Sequence, residues 1–534
     1  MGKGLFFVGL YKEGRKMKRI CTLLLAAGLL FGAATGASAI DFKAKGQWLV
    51  GFGLSDTKLI HKYRDGNNKY KKNTTDQFSA VQRVRLQLDA VASESLSGTV
   101  FFEIGNTHWG QNSSGGALGA DQKIIKLKRA YIDWMIPETT MKVRMGIQGI
   151  TLPNVAGGSA IMDTDAAGIT ANYEINDNIS VTAMWVRPIN DNWDGKKYYN
   201  GVLDYDRPTQ ANYLDNIDLF SIMVPMNFDG FNITPWAMYG IKGANAMDNI
   251  EDFNGRPTNI FGTPDGNLNY SLYPYPGINN RSYIGGTNKT YGSMFWAGLP
   301  FAITAFDPLN IEVDLNYGYV EEMGRYEATK AYYMQSKRAS TKREGWLAKA
   351  LIEYKMDWGV PGIFGWYGSG DNGNPKDGSE RMPSIVPMGT FTSFLGDGNM
   401  GWWLNDFCLD YSGTWGIGLQ IRDMSFIENL DHTFRVAYWG GTNNSGMVKY
   451  MNNAYSWNDG WGSNTGPYLT TNDGLLEFNL VNNYKMYENF DVNLELGYVA
   501  NFMDNDTWKK AGSRDSSFQK QDAWKCQLVF AYSF

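Results

Sequence analysis

Along most of this chain apolar and polar residues alternate singly, the period of an extended strand whose side chains point to opposite faces. The clearest instance runs from Gln82 to Ala90: Val84, Leu86, Leu88 and Ala90 share one face, and Arg83, Arg85, Gln87 and Asp89 share the other. Phe42–Trp48 opens the series, and Thr99–Gly105 sets Val100, Phe102 and Ile104 opposite Glu103. The alternation recurs over 140–147, 180–187, 217–224, 311–319, 346–354, 416–424, 432–439, 475–480 and 491–499, with an acidic polar face in 311–319 and 491–496. It reaches the last residue, with Leu528, Phe530, Tyr532 and Phe534 on one face and Lys525 and Gln527 on the other. Connections are of two kinds. Glu94-Ser95 and Asn176-Asp177-Asn178 read as tight turns, whereas 56–77, 189–212, 244–288, 370–407 and 441–472 are long Gly/Asn/Asp/Ser/Pro segments.

The start of the chain says where these strands are sent. Lys16-Met17-Lys18-Arg19 is a basic region, Ile20–Phe31 a mostly apolar one, and Ala37-Ser38-Ala39 a small-x-small cleavage site, the layout of an export signal over 1–39. Met17, followed by Lys-Arg, is a more ordinary signal start than Met1, and Cys21 precedes the apolar core, so it is not a lipid-attachment cysteine. Processing at Ile40 leaves 495 residues, in which no stretch approaches the roughly 20 apolar residues of a spanning helix. An exported chain of alternating strands, with tight turns at one end of its hairpins and long loops at the other, predicts an all-β transmembrane antiparallel barrel in the bacterial outer membrane. At roughly 30 residues per strand and connection, one domain over 40–534 makes 16–18 strands around an aqueous lumen. An exported β-sandwich or β-helix would share the signal and the alternation. It would not account for an aromatic final residue in register with the apolar face, nor for Trp134, Trp185, Trp296, Tyr438 and Trp439 near strand ends, where interfacial girdles are expected.

Composition narrows the chemistry. Aromatic residues make up 14% of the chain, with 31 tyrosines and 61 glycines, and the formal net charge of −5 argues against nucleic acid as a partner. Cys408 and Cys526 allow at most one bridge in the processed chain. His61, His108 and His432 are scattered, with no serine or cysteine at a spacing that would make a nucleophile and base, so no enzyme is expected. Neither a metal site nor a cofactor site is read from these residues, and the Asp/Asn-rich loops carry no spaced Ca²⁺ motif.

A pore acts through charge and width, so inward residues near a constriction are the candidates. Arg83, Arg85, Lys142, Arg144 and Arg187 lie on polar strand faces in the first half of the chain, joined by Arg129 if Ala130, Ile132 and Trp134 face lipid. That parity turns Lys126 and Lys128 outward, which requires them to stand above the membrane. The segment 149–167 is partly apolar and rich in small residues, unlike the other loops, and is expected to fold inward as a constriction loop. Asp163 and Asp165 would then face the basic patch across the aperture and set up a transverse field. The overall acidity favours cations, and the arginine cluster opposes them.

The sequence resembles outer-membrane trimeric porins, most closely the homotrimeric porins of anaerobic sulfate-reducing bacteria. The resemblance rests on Asp41–Gly46 after the signal, Gln82–Leu88, Arg129–Asp133, Val143–Gly146 and the terminal Val529–Phe534. General porins fold their third loop into the barrel against a ladder of arginines. By position that loop corresponds to 149–167, with Asp163 and Asp165 as its acidic side and Arg83, Arg85 and Arg144 as the basic side, although the Pro-Glu-Phe-Gly stretch of enterobacterial porins is absent. The resemblance implies a homotrimer among outer-membrane lipids and lipopolysaccharide, passing small hydrophilic solutes and ions by passive diffusion. The alternative is a substrate-selective channel for a sugar or a small organic anion. A barrel with a plugged lumen, serving as adhesin or scaffold, would call for a longer inserted domain.

Overall fold

The computed structural model describes residues 40–61, 77–119, 125–190, 197–199, 202–204, 216–243, 272, 283–286, 289–330, 336–395, 407, 411–451, 454, 467–511 and 519–534. The export signal and Cys408 lie outside the described residues.

Eighteen antiparallel staves close into a barrel. In chain order they are β1 (Asp41–Asp56), β2 (Gln77–Ser93), β3 (Leu96–His108), β4 (Ile125–Met135), β5 (Lys142–Thr151), β6 (Asp163–Asn176) and β7 (Ile179–Asn190). β8 (Asn216–Met223 with Met226–Phe228) and β9 (Phe231–Ile233 with Trp236–Gly243) are each interrupted once. β10 (Tyr291–Phe306), β11 (Leu309–Val320), β12 (Arg343–Tyr354), β13 (Val360–Gly368) and β14 (Thr414–Ile427) follow. β15 (Leu430–Gly441), β16 (Gly474–Tyr487), β17 (Phe490–Asn501) and β18 (Ala523–Ser533) complete the wall. The interruptions fall at Pro225 and Pro235, which have no N–H for the ladder, although their carbonyls still accept from Ser180 and Val224.

Closure is made by the two ends of the chain. β1 pairs with β18 from Gln47↔Ser533 to Asp56↔Trp524, and on its other side with β2. Phe534 extends this seam: its N–H donates to Gly46 O (3.0 Å) and its carbonyl accepts from Gly46 N (2.8 Å). A side chain on Gly46 would strike both the Phe534 ring and Arg85 O, so this close approach needs glycine. Closure leaves no unpaired edge in hydrocarbon.

Alternation assigns the two faces. Leu54, Phe78, Leu88, Ile132, Phe220, Leu419 and Tyr438 are exposed on the outer face, while Arg83, Glu103, Lys349, Gln420, Glu477 and Lys525 are buried on the inner one. At the long-loop end, outward aromatic residues run from Tyr239 on β9 through Phe295, Tyr317, Trp346, Tyr367 and Tyr438 to Tyr498 on β17. Trp134 joins the belt at the turn end. Trp296 and Trp439, expected in the girdles, are instead fully buried inside the barrel, because their positions lie on the inward parity of β10 and β15.

Candidate functional site: a crossbar through the lumen

The barrel is not an empty tube. Between β5 and β6 the chain from Leu152 to Met162 turns inward, with Leu152, Ala156, Ile161 and Met162 all buried. It reaches the opposite wall, where Asp314 of β11 and Lys349 of β12 are register partners and form an ion pair (2.9 Å), each 1% exposed. Asp314 accepts the N–H groups of Val155 (3.0 Å) and Ala156 (3.3 Å), and Lys349 Nζ donates to the carbonyls of Ala156 and Gly158. The buried charges thus satisfy each other and the backbone that lies on them, the condition for tolerating an ion pair away from water. Gly157 and Gly158 take φ of +65° and +84°, and a Cβ at either would strike Tyr411 and Phe391, or Met388 O.

A second inward segment comes from the long connection between β13 and β14. Its backbone runs beside the first: Ile385 N–H donates to Ile161 O (2.8 Å), Met388 to Ser159 O (2.7 Å) and Thr390 to Gly157 O (3.0 Å), while Asp163 N–H donates to Val386 O (2.8 Å). Tyr411 hydroxyl donates to Gly157 O (2.5 Å) and accepts from Thr390 N (3.2 Å), tying the two strips together. Phe364, Trp366, Phe391 and Tyr411 form an aromatic stack beneath them. Beyond the stack, Ser393 is pinned to the far wall. Its N–H donates to Glu477 (2.9 Å) and Asn479 (3.1 Å), its hydroxyl to Glu495, and its carbonyl accepts from Lys525 Nζ (2.6 Å). Trp296 Nε1 donates to Pro383 O (2.9 Å) and Trp439 Nε1 to Glu477 (3.0 Å), which is why these indoles are inside. The two segments make a crossbar spanning β5/β6, β11/β12 and β16–β18.

The residues singled out from sequence are distributed differently from expectation. Segment 149–167 does fold inward between 152 and 162, but Asp163 and Asp165 are the first residues of strand β6 rather than the tip of a loop. Asp163 accepts from Thr151 Oγ1 (2.9 Å), and Asp165 is held by Lys128 Nζ (2.5 Å) and Arg129 Nε (2.6 Å). Lys128 occupies a bulge opposite Phe101, so Leu127 and Ile125 stay exposed and Lys126 lies opposite Glu103; the outward placement of Lys126 and Lys128 is corrected by that extra residue. Arg85 pairs with Glu103 (2.8 Å), and Arg144 and Lys142 with Asp133 (2.6 and 3.3 Å), with the Arg144 guanidinium over the Tyr131 ring. Arg83 is buried on the inner wall beside them. Arg187 does not belong to the lumen. It shares the outward parity of Trp185 and Phe220 and makes a two-point pair with Asp218. The expected opposition of arginines and aspartates across an aperture is therefore replaced by ion pairs along the wall, between adjacent strands or, for Asp165 with Lys128 and Arg129, over Gly149 of the strand between them.

What sequence reading missed is the opposite wall. The acidic faces of 311–319 and 491–496 were the signal for Asp314 and Glu495, but their partners, Lys349, the 155–158 backbone and Ser393, lie far along the chain. In the same long connection, burial among the nearby Asp371 and Asp377 pushes the Glu380 carboxyl up to about 7, despite hydrogen bonds from the backbone and side chain of Asn372.

No family model and no curated protein sequence matches this chain. Among solved structures it is similar to Pseudomonas aeruginosa OccK11 (OpdR), at 10% identity, covering 92% of this chain and 96% of that one, with a TM-score of 0.46. The P. aeruginosa outer-membrane protein opdK and Acinetobacter baumannii OccAB3 are each 9% identical, cover 92% of this chain and 99% of their own, and have TM-scores of 0.46. The chain folds as an 18-stranded antiparallel transmembrane β-barrel of the bacterial outer membrane. These comparisons support neither a sulfate-reducer origin nor a trimer. The expectation of an unselective diffusion pore is corrected: two interlocked segments cross the lumen and are pinned to three parts of its wall.

Two predictions follow from the crossbar. Replacing Lys349 by methionine keeps the volume but strands Asp314, weakening the hold on 152–162 by about 3–5 kcal/mol; single-channel conductance should rise, and an unchanged value would mean that the segment does not limit the aperture. Glu380 binds its proton more tightly folded than unfolded, so its contribution to stability is full below about pH 4.5 and is lost as pH rises through about 7. Limited proteolysis within 370–381 should accelerate across that window in the wild type and stay level in E380Q.

Proposed function

We propose that the protein is a substrate-selective outer-membrane channel for a small polar solute, a sugar or a small organic anion. The observation that carries this is the crossbar: two segments interlocked by backbone hydrogen bonds and anchored to three parts of the wall cross the lumen that an 18-stranded barrel encloses. A solute then has to pass along walls lined by paired charges, where fit and hydrogen bonding decide passage more than size. In this reading Arg83, Arg85, Lys142 and Arg144 line one side as a compensated wall whose charge acts locally, while the Arg129 guanidinium lies over Gly149 with Asp165.

Swelling of proteoliposomes in solutes of equal mass but different chemistry is the test. Selectivity predicts rates that differ at equal size and saturate with concentration. Rates set by size alone would overturn it.

The protein further associates with itself as a trimer, a reading that starts from the resemblance to trimeric porins. One observation favours a covered face. The aromatic belt at the long-loop end reaches Phe220 and Trp185 and then stops: over β5 and β6 the outward positions are Gly149, Thr151 and Ala167, beside Arg187 paired with Asp218. A part-exposed ion pair is costly against hydrocarbon and inexpensive against protein or headgroups. Native mass spectrometry in mild detergent should give three chains, and a monomer would contradict it.

A further inference from the structure

Seven inward positions lie at one level of the β12–β18 wall, each the register partner of the next: Glu353, Gly362, Gln420, Arg435, Asn479, Gly497 and Lys525. The polar members form a chain. Gln420 Nε2 donates to Glu353 (2.7 Å), and Gln420 Oε1 accepts from Arg435 Nε (3.0 Å). Asn479 and Lys525 hold Ser393 of the crossbar, so the row runs up to the crossbar's anchor.

Arg435 differs from its neighbours. Arg85, Arg129, Arg144 and Arg422 each spend their guanidinium on a carboxylate. Arg435 spends Nε on a neutral amide, and its Nη1 is shut off from solvent with no partner among the described residues. An unmet guanidinium donor in such a place is expensive, whereas a solute oxygen that meets it recovers that cost on binding.

The surrounding charge selects the kind of oxygen. Glu353, Glu477 and Glu495 all act electrostatically on Arg435. Arg422 is committed to Glu353, and Lys525 to Glu495 and the Ser393 carbonyl. An anion brought to Arg435 would meet three carboxylates, while a hydroxyl accepts from Nη1 without adding charge and keeps its own proton to donate to one of those carboxylates.

We infer that the inner wall around Arg435 is a binding site for a neutral, hydroxyl-rich solute of the sugar class, with Arg435 Nη1 as the recognising donor. This rests on the selective-channel reading and decides between its two solute classes.

The test uses the full-length channel in planar bilayers, with glucose and sucrose as neutral probes and acetate and succinate as anionic ones. The expected result is a saturable fall in current with sugar. Its half-blocking concentration should rise about tenfold or more in R435Q, the loss of one hydrogen bond to a charged group, and by less in R435K, which keeps the charge without the fork. R435K also serves if R435Q does not insert. Sugar block unchanged in both variants would overturn the site alone, as would Arg435-dependent saturation by an anion and not by sugar. No saturation by any probe in the wild type would overturn the selective-channel reading and the site together.

Discussion

Lys349 is a lysine of a barrel wall buried away from solvent. Its partner on the next stave, Asp314, supplies the counter-charge, but an ammonium has three protons and a carboxylate four lone-pair sites, so the pair alone is not satisfied. The remainder is provided by the backbone of 155–158, which presents N–H groups to Asp314 and carbonyls to Lys349. That exchange brings a chain from the far side of the barrel across the lumen and keeps it there. The second segment then has a backbone to lie against and places Phe391 on Phe364 and Trp366. Ser393 reaches a second polar wall by the same device, with Glu477, Glu495 and Lys525 in the roles of Asp314 and Lys349.

The closed wall makes this arrangement possible. Every stave is paired on both sides, so inward polar residues need not complete a sheet edge and are free to bind a crossing backbone. The outer face follows lipid and the inner face follows the crossbar, which explains how a chain with so many aromatics can place some of its tryptophans in girdles and bury Trp296, Trp366 and Trp439 within the lumen. Burial of each large ring contributes about 2 kcal/mol. Together with the two anchors, these rings make the crossbar part of the fold.

The barrel was largely legible in the sequence because period-two alternation is local. Gln82–Ala90 and Leu528–Phe534 show their faces without reference to any partner. The inward turn of 152–162 was legible too, from its small and apolar residues. Failures came where a local rule was broken or a partner was remote. One bulged residue at Lys128 reversed the parity of everything before it in β4. Arg187 looked like a lumen residue because charge was taken for inwardness, yet it sits beside Trp185 on the outward face. Asp163 and Asp165 were taken for loop residues because the Gly/Ala-rich start of β6 hides its alternation. Asp314–Lys349 could not be read at all, since nothing near either residue indicates that its third partner is a backbone more than 150 positions away.

The central claim is that two segments are hydrogen-bonded to each other inside the barrel. Amide hydrogen exchange of the purified protein in detergent reads this directly. The N–H groups of Ile385, Met388 and Thr390, donated to Ile161, Ser159 and Gly157, should be protected to a degree approaching that of the wall strands β11 and β12. Exchange of these three amides at the rate of freely solvated loops would contradict the crossbar and leave the barrel open.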